Sequence, residues 1–72
     1  MAEIRAEITA NVWQVGVEVG QMVAEGDELC ILESMKMEIP VITEVPGVVR
    51  ELYVKPEDVV HEGDLIAIVD ES

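Results

Sequence analysis

Phenylalanine is absent from this sequence, and tryptophan and tyrosine occur once each, as Trp13 and Tyr53. A core therefore has to be aliphatic. The valines and isoleucines available for it are β-branched, stiff at χ1 and suited to strands. A single cysteine, Cys30, excludes an internal disulfide, and one cysteine with one histidine, His61, cannot build a zinc site. Basic residues are scarce: four Lys and Arg stand against 16 Asp and Glu, a formal net charge of −12. That balance argues against nucleic acid, whose phosphates need a basic surface, and against docking on anionic lipid. The start, Met1-Ala2-Glu3-Ile4-Arg5, has no apolar signal region, and no run is long enough to span a membrane, so the expected compartment is the cytosol. No segment carries a helical period over two or more turns. At 72 residues the chain is near the lower limit for a domain without staples. The expectation is one closed, all-β domain over residues 1–72, monomeric when isolated.

What is present is a series of short apolar runs separated by turn signals. Glu3 to Ile8 alternates polar and apolar, as a half-buried strand should. Trp13, Val15, Val17 and Val19 share one parity and are expected to share one face of a second strand, with Trp13 in core or rim packing. Leu29 to Leu32, Ile39 to Thr43, Val48 to Val54 and Leu65 to Val69 read as further strands. Gly20, Glu25-Gly26-Asp27, Pro46-Gly47, Lys55-Pro56-Glu57-Asp58 and Glu62-Gly63-Asp64 read as turns. The acidic residues at Asp27, Asp58 and Asp64 lack the ligand spacing of a calcium loop. Cys30, on an apolar strand, reads as a small buried hydrophobe.

The two halves repeat. A slide of 37 residues puts Val12 on Val49, Val17 on Val54, Val23 on Val60, Ile31 on Ile68, and Glu25-Gly26-Asp27 on Glu62-Gly63-Asp64. Such self-similarity predicts two like motifs about a pseudo-twofold axis, sharing one core because neither half can bury its apolar face alone. The expected architecture is a sandwich or flattened barrel with the halves packed face to face. Gly26 and Gly63, each between Glu and Asp, are expected to have positive φ.

The stretch Glu33-Ser34-Met35-Lys36-Met37-Glu38 joins the two central runs as a hairpin tip. Two-residue hairpin turns favour Asn-Gly, Asp-Gly or Gly-X because their backbone needs positive φ, yet this tip holds none of those residues. It places Lys36 between two methionines where water should be. A local rule broken at an exposed tip suggests function there. A lysine amine has an ordinary pKa of about 10.4, and catalytic lysines escape it through burial or a neighbouring cation. Lys36 has Glu33 and Glu38 nearby instead, which favour the ammonium form. The residue is better suited to being modified than to catalysis.

Met35-Lys36-Met37, preceded by acidic Glu33, resembles the attachment motif of biotinyl carrier domains, and the glycines and valines of the repeat extend the resemblance over nearly the whole chain. The resemblance implies two four-stranded antiparallel sheets, with the modified lysine on an exposed turn at one end and the termini at the other. It implies that Lys36 carries biotin through an amide bond, and that Met35, Met37 and Glu33 are read by a biotin protein ligase. It further implies a carrier rather than an enzyme. By the same resemblance, a carboxyl group would pass from a biotin carboxylase to a carboxyltransferase acting on an acyl-CoA or keto acid. Ser34 stands where this family most often has Ala, Thr9-Ala10 where many members have Pro-Gly, and Glu57 where a turn glycine is common. Related lipoyl domains have Asp before the lysine and a small residue after it, so methionine on both sides favours biotin over lipoate. Two alternatives remain open from the residues: a lipoyl carrier, and an unmodified β-domain serving as an interaction module. Lys55, the other lysine, reads as a surface charge.

Overall fold

Each of the six expected apolar runs yields a strand, with shifted ends, and the turns fall at the Gly, Pro and Asp clusters; two short strands, Met22–Val23 and Val59–Val60, lie outside those runs. The structure is a computed structural model describing residues 1–71. Ser72, the last residue of the expected domain, lies outside the described residues. The strands are β1 Ala2–Arg5, β2 Ala10–Val15, β3 Met22–Val23, β4 Glu28–Ser34, β5 Met37–Ile42, β6 Gly47–Leu52, β7 Val59–Val60 and β8 Leu65–Glu71. No helix occurs among the described residues. The strands form two four-stranded antiparallel sheets, ordered β1-β8-β6-β3 and β5-β4-β2-β7.

The pseudo-twofold relation holds bond by bond. Ala6 N–H donates to Asp64 C=O as Thr43 N–H does to Asp27 C=O, at 2.9 and 3.0 Å. Glu57 N–H donates to Val12 C=O as Gly20 N–H does to Val49 C=O, at 2.8 and 2.7 Å. Asp27 Oδ2 accepts from Ala24 N–H, and its counterpart Asp64 Oδ2 accepts from His61 N–H, both at 2.8 Å. The acidic turn residues are thus held by backbone donors, as their sequence setting implies.

One expectation needs correction. The halves do not pack face to face as separate sheets; each sheet takes two strands from each half. The reason is hydrogen bonding. A two-stranded ribbon leaves both edges unpaired, whereas exchange gives β2, β4, β6 and β8 neighbours on both sides.

The parity expected for the second strand also fails. Val12 points inward and is buried, while Trp13 is 43% exposed and Val19 61% exposed. A bulge between Val12 and Gln14 shifts the register at Trp13, and the same irregularity recurs between Val49 and Glu51 at Arg50. Strict alternation cannot be read through a bulge, because one extra residue resets the parity. Val17 is buried, but in the connection after the strand. A second symmetric pair of irregularities, at Leu29 and Ile66, lets the consecutive residues Leu29-Cys30 and Ile66-Ala67 both turn inward. β1 likewise ends at Arg5 rather than Ile8, with Ala6 buried beyond it.

The core is aliphatic. Val12, Leu29, Leu32, Val49, Ile66 and Val69 are fully enclosed, and Thr43 is the one buried polar side chain among the described residues, its hydroxyl donating to Val45 C=O. Cys30 is buried among them, and burial pushes its thiol up to about 11, because a thiolate there would lose its hydration. Gly26 and Gly63 have φ of 89° and 91°, as expected, and Glu57 takes φ 78° where its repeat partner Gly20 has 92°. Gly47 is held for a different reason: a Cβ there would lie 2.1 Å from the Asp70 carbonyl oxygen.

Two outcomes are expected. Gly63→Ala meets no atom within 4 Å and carries backbone strain alone, about 1–2 kcal/mol. Gly47→Ala must force β6 from β8, so its urea midpoint should fall further than that of Gly63→Ala; equal losses would show that the sheets open there freely. For Cys30, the raised value means that folding favours the neutral thiol, so this contribution to stability is complete below pH 9 and is lost as pH rises towards 11. Native protein at pH 8 should resist thiol alkylation, and reactivity should appear on denaturation.

Candidate functional site

The turn between β4 and β5 is built by register. Leu32 pairs with Ile39, Glu33 with Glu38, and Ser34 with Met37, which leaves Met35 and Lys36 as a two-residue loop. Their φ angles are 52° and 64°. Positive φ at both central residues is the type I′ pattern, whose twist matches that of the flanking strands. Neither residue is one that adopts this conformation readily, so each carries strain on the order of 1 kcal/mol. The turn persists because β4 is clamped on its other side by β2, through pairs such as Asn11 with Glu33 and Val12 with Leu32.

The side chains stand in water. Met35 is 89% exposed and Met37 58% exposed, and Lys36 and Glu33 are exposed as well. Among the described residues the ion pairs are Arg5 with Glu3, Arg50 with Asp70, and the N-terminal ammonium with Glu71, so the Lys36 amine is free of them. Glu33 and Glu38 face each other across β4 and β5 on the outer side of the sheet, below the turn rather than on it. The structure therefore groups Met35, Lys36 and Met37 at the tip, with Glu33 one cross-strand row down.

The tip lies at one end of a body measuring 35 × 17 × 17 Å. β5 runs away from it, through Thr43 and Val45, to Gly47, which pairs with Glu71 at the end of β8. Ala2 pairs with Val69 nearby. Both described chain ends thus lie opposite the turn. By the repeat they mark the place where the second half would carry its own hairpin if its strands were joined.

Sequence reading did not single out Glu38 as the like-charged partner of Glu33, nor Trp13 as an outward residue. The Glu38 pairing follows from the two-residue loop at Met35-Lys36, which the register fixes and the sequence leaves as a longer tip. Trp13 was hidden by the bulge.

If the turn is strained, Asn at its first position should relax it, because Asn tolerates the left-handed region. Met35→Asn is expected to raise the melting temperature by a few degrees, the equivalent of about 0.5–1 kcal/mol in a domain this small. A lowered value in thermal denaturation would show that Met35 contributes packing.

Comparison with known proteins agrees with this geometry. The family model described as "Biotin-requiring enzyme" matches residues 1–69. A biotinylated protein TB7.3 homolog of Mycobacterium leprae is 51% identical over 70 residues, covering 96% of this chain and 99% of the relative. A biotin/lipoyl attachment protein of Bacillus subtilis is 41% identical over 63 residues, 88% of this chain and 86% of that protein. The solved urea carboxylase of Kluyveromyces lactis contains the same fold, with a TM-score of 0.90 and 33% identity over 96% of this chain, although the match spans 6% of the carboxylase chain. The sheet topology, the type I′ turn and these matches together show that the chain belongs to the biotin/lipoyl attachment family, as a biotin-attachment domain homologous to the carrier domains of biotin-dependent carboxylases.

Proposed function

We propose that Lys36 is the residue that takes biotin, and that the domain carries a carboxyl group between two active sites of a biotin-dependent carboxylase. The observation that carries this reading is the free, exposed Lys36 amine at the second position of a strained type I′ turn, flanked by exposed Met35 and Met37. An amine so placed can enter another protein's active site without unfolding any of the domain. A biotin protein ligase would join Lys36 Nζ to the carboxyl carbon of biotin activated as its adenylate. The amide bond forms, AMP leaves and the nitrogen sheds its protons to the ligase. Met35 and Met37 would be read by the ligase as apolar contacts on either side of the amine, with Glu33 one row below.

Biotin supplies a ureido nitrogen that a biotin carboxylase can carboxylate and a carboxyltransferase can relieve. The chain's own residues contribute position. β2 holds the hairpin stem, and the left-handed backbone at Lys36 aims the side chain outward from the end of the sandwich. A long arm on so small a body keeps its end at high effective concentration near two sites. The carboxylase relatives support the choice of partners: 42% identity links 72% of this chain to 7% of the mitochondrial propionyl-CoA carboxylase alpha chain of Sus scrofa.

Intact mass after co-expression with a ligase tests the reading. One biotin is expected per chain, lost in Lys36→Arg and retained in Lys55→Arg. Amide formation removes one positive charge, taking −12 to −13, so the modified form should run slightly faster on a native gel. Biotin on Lys55, or lipoate in place of biotin on Lys36, would overturn the proposal. Met35→Ala and Met37→Ala should shift stability by no more than about 0.5 kcal/mol, as exposed substitutions do, while slowing biotin attachment.

A further inference from the structure

The pseudo-twofold axis supplies an internal control. The outer faces of the two sheets have the same backbone, so differences between equivalent positions are not required by the fold. On the β1-β8-β6-β3 face, Glu3, Glu51 and Asp70 each have a side-chain donor. Arg5 binds Glu3 at 2.9 Å, Arg50 binds Asp70 at 3.2 Å, and the Tyr53 hydroxyl donates to Glu51. That last bond holds the phenolic proton and raises the Tyr53 pKa.

On the β5-β4-β2-β7 face, the positions equivalent to Arg5, Arg50 and Tyr53 are Ile42, Trp13 and Gly16. All three donors are gone; of their acceptors, Asp70 keeps an acidic equivalent in Glu33, while the equivalents of Glu3 and Glu51 are Pro40 and Gln14, and Glu28 and Glu38 are acidic where the other half has Leu65 and Met1. Glu28, Glu33 and Glu38 line this face, and none takes part in a side-chain hydrogen bond or ion pair among the described residues. Glu33 and Glu38 are directly opposed, an arrangement of like charges that destabilises a sheet. Between them and Glu28 lie Ile31 and Pro40, paired across the strands, with the bulged Trp13 alongside. An apolar centre with a large aromatic, bordered by carboxylates that lack cations, is complementary to a basic protein surface with an apolar pocket.

We propose that this face is the docking surface for such a basic patch on the enzyme that acylates Lys36, with Trp13 as its anchor and Glu28, Glu33 and Glu38 pairing with the enzyme's cations. The inference rests on Lys36 being the acylated residue. It selects the ligase because of reach. The reacting nitrogen ends a single lysine side chain, so the acylating enzyme must close on the turn and cover the rows beside it. Enzymes that act at the far end of the finished arm can stand off from the domain. Arginine at position 13, as on the other face, would neutralise Glu33 within the domain and withdraw it from the partner.

The test uses the full chain with a bacterial biotin protein ligase, biotin and ATP, reading initial rates by intact mass across a salt series. Trp13→Arg should lower kcat/KM about tenfold or more, the scale of a buried aromatic anchor, while its melting temperature stays level or rises. Trp13→Phe should recover most of the loss. Glu38→Lys should lower kcat/KM as well, and Glu38→Gln should flatten the fall of rate with salt, because fewer ion pairs are screened. Arg50→Trp, the equivalent change on the opposite face, should leave kcat/KM unchanged. Wild-type kcat/KM and salt dependence in both Trp13→Arg and Glu38→Lys would overturn the docking surface, as would an equal loss in Arg50→Trp. Absence of biotin from the wild type, or biotin on Lys36→Arg, would instead overturn the reading of Lys36.

Discussion

The exchange of strands between the two halves is the constraint on which everything else rests. The first half of this chain has two longer strands and two short ones, the second three longer and one short, too little in either to close its own edges or cover its own valines. By lending two strands to each sheet, each half lets the other pair its backbone on both sides. The repeated bonds, Ala6 with Asp64 and Thr43 with Asp27, Gly20 with Val49 and Glu57 with Val12, are the fastenings of that exchange. An aliphatic core without phenylalanine can then be enclosed, with Val12, Leu32, Val49 and Val69 meeting across the sandwich.

The same exchange makes one end of the molecule useful. β4 and β5 are joined across the boundary between the repeats, and their hairpin tip stands at the end of the sandwich opposite the pairing of Ala2 with Val69. Because β4 is flanked by β2, the sheet holds the register that forces Met35 and Lys36 into the left-handed region. The strain is local and the support is global, so the turn can keep residues that its backbone conformation does not favour. Asn-Gly would suit the backbone better.

Symmetry also separates what the fold needs from what it does not. Bulges at Trp13 and Arg50, and at Leu29 and Ile66, occur in both halves and shape the sheets. The outer side chains diverge. One face neutralises its own carboxylates, and the other, beside Lys36, leaves them exposed next to an outward tryptophan.

Composition and spacing determined the all-β class, the internal repeat, the positive-φ glycines at Gly26 and Gly63, and the exposed lysine between methionines. Each of these follows from chemistry that acts within a few residues, or from self-similarity visible along the chain. The stretch from Glu33 to Glu38 could be identified as a hairpin tip from the apolar runs on either side, whereas the two-residue loop at Met35-Lys36 came from the strand register, and the family resemblance was needed to suggest biotin. Three things were decided by tertiary structure alone. The interleaving of the halves depends on pairing between distant strands, which a repeat of 37 residues leaves open. The outward turn of Trp13 depends on a bulge, where one residue without a partner resets every parity after it. The isolation of Glu28, Glu33 and Glu38 depends on which side chains the folded sheets bring together, and no local pattern carries that information.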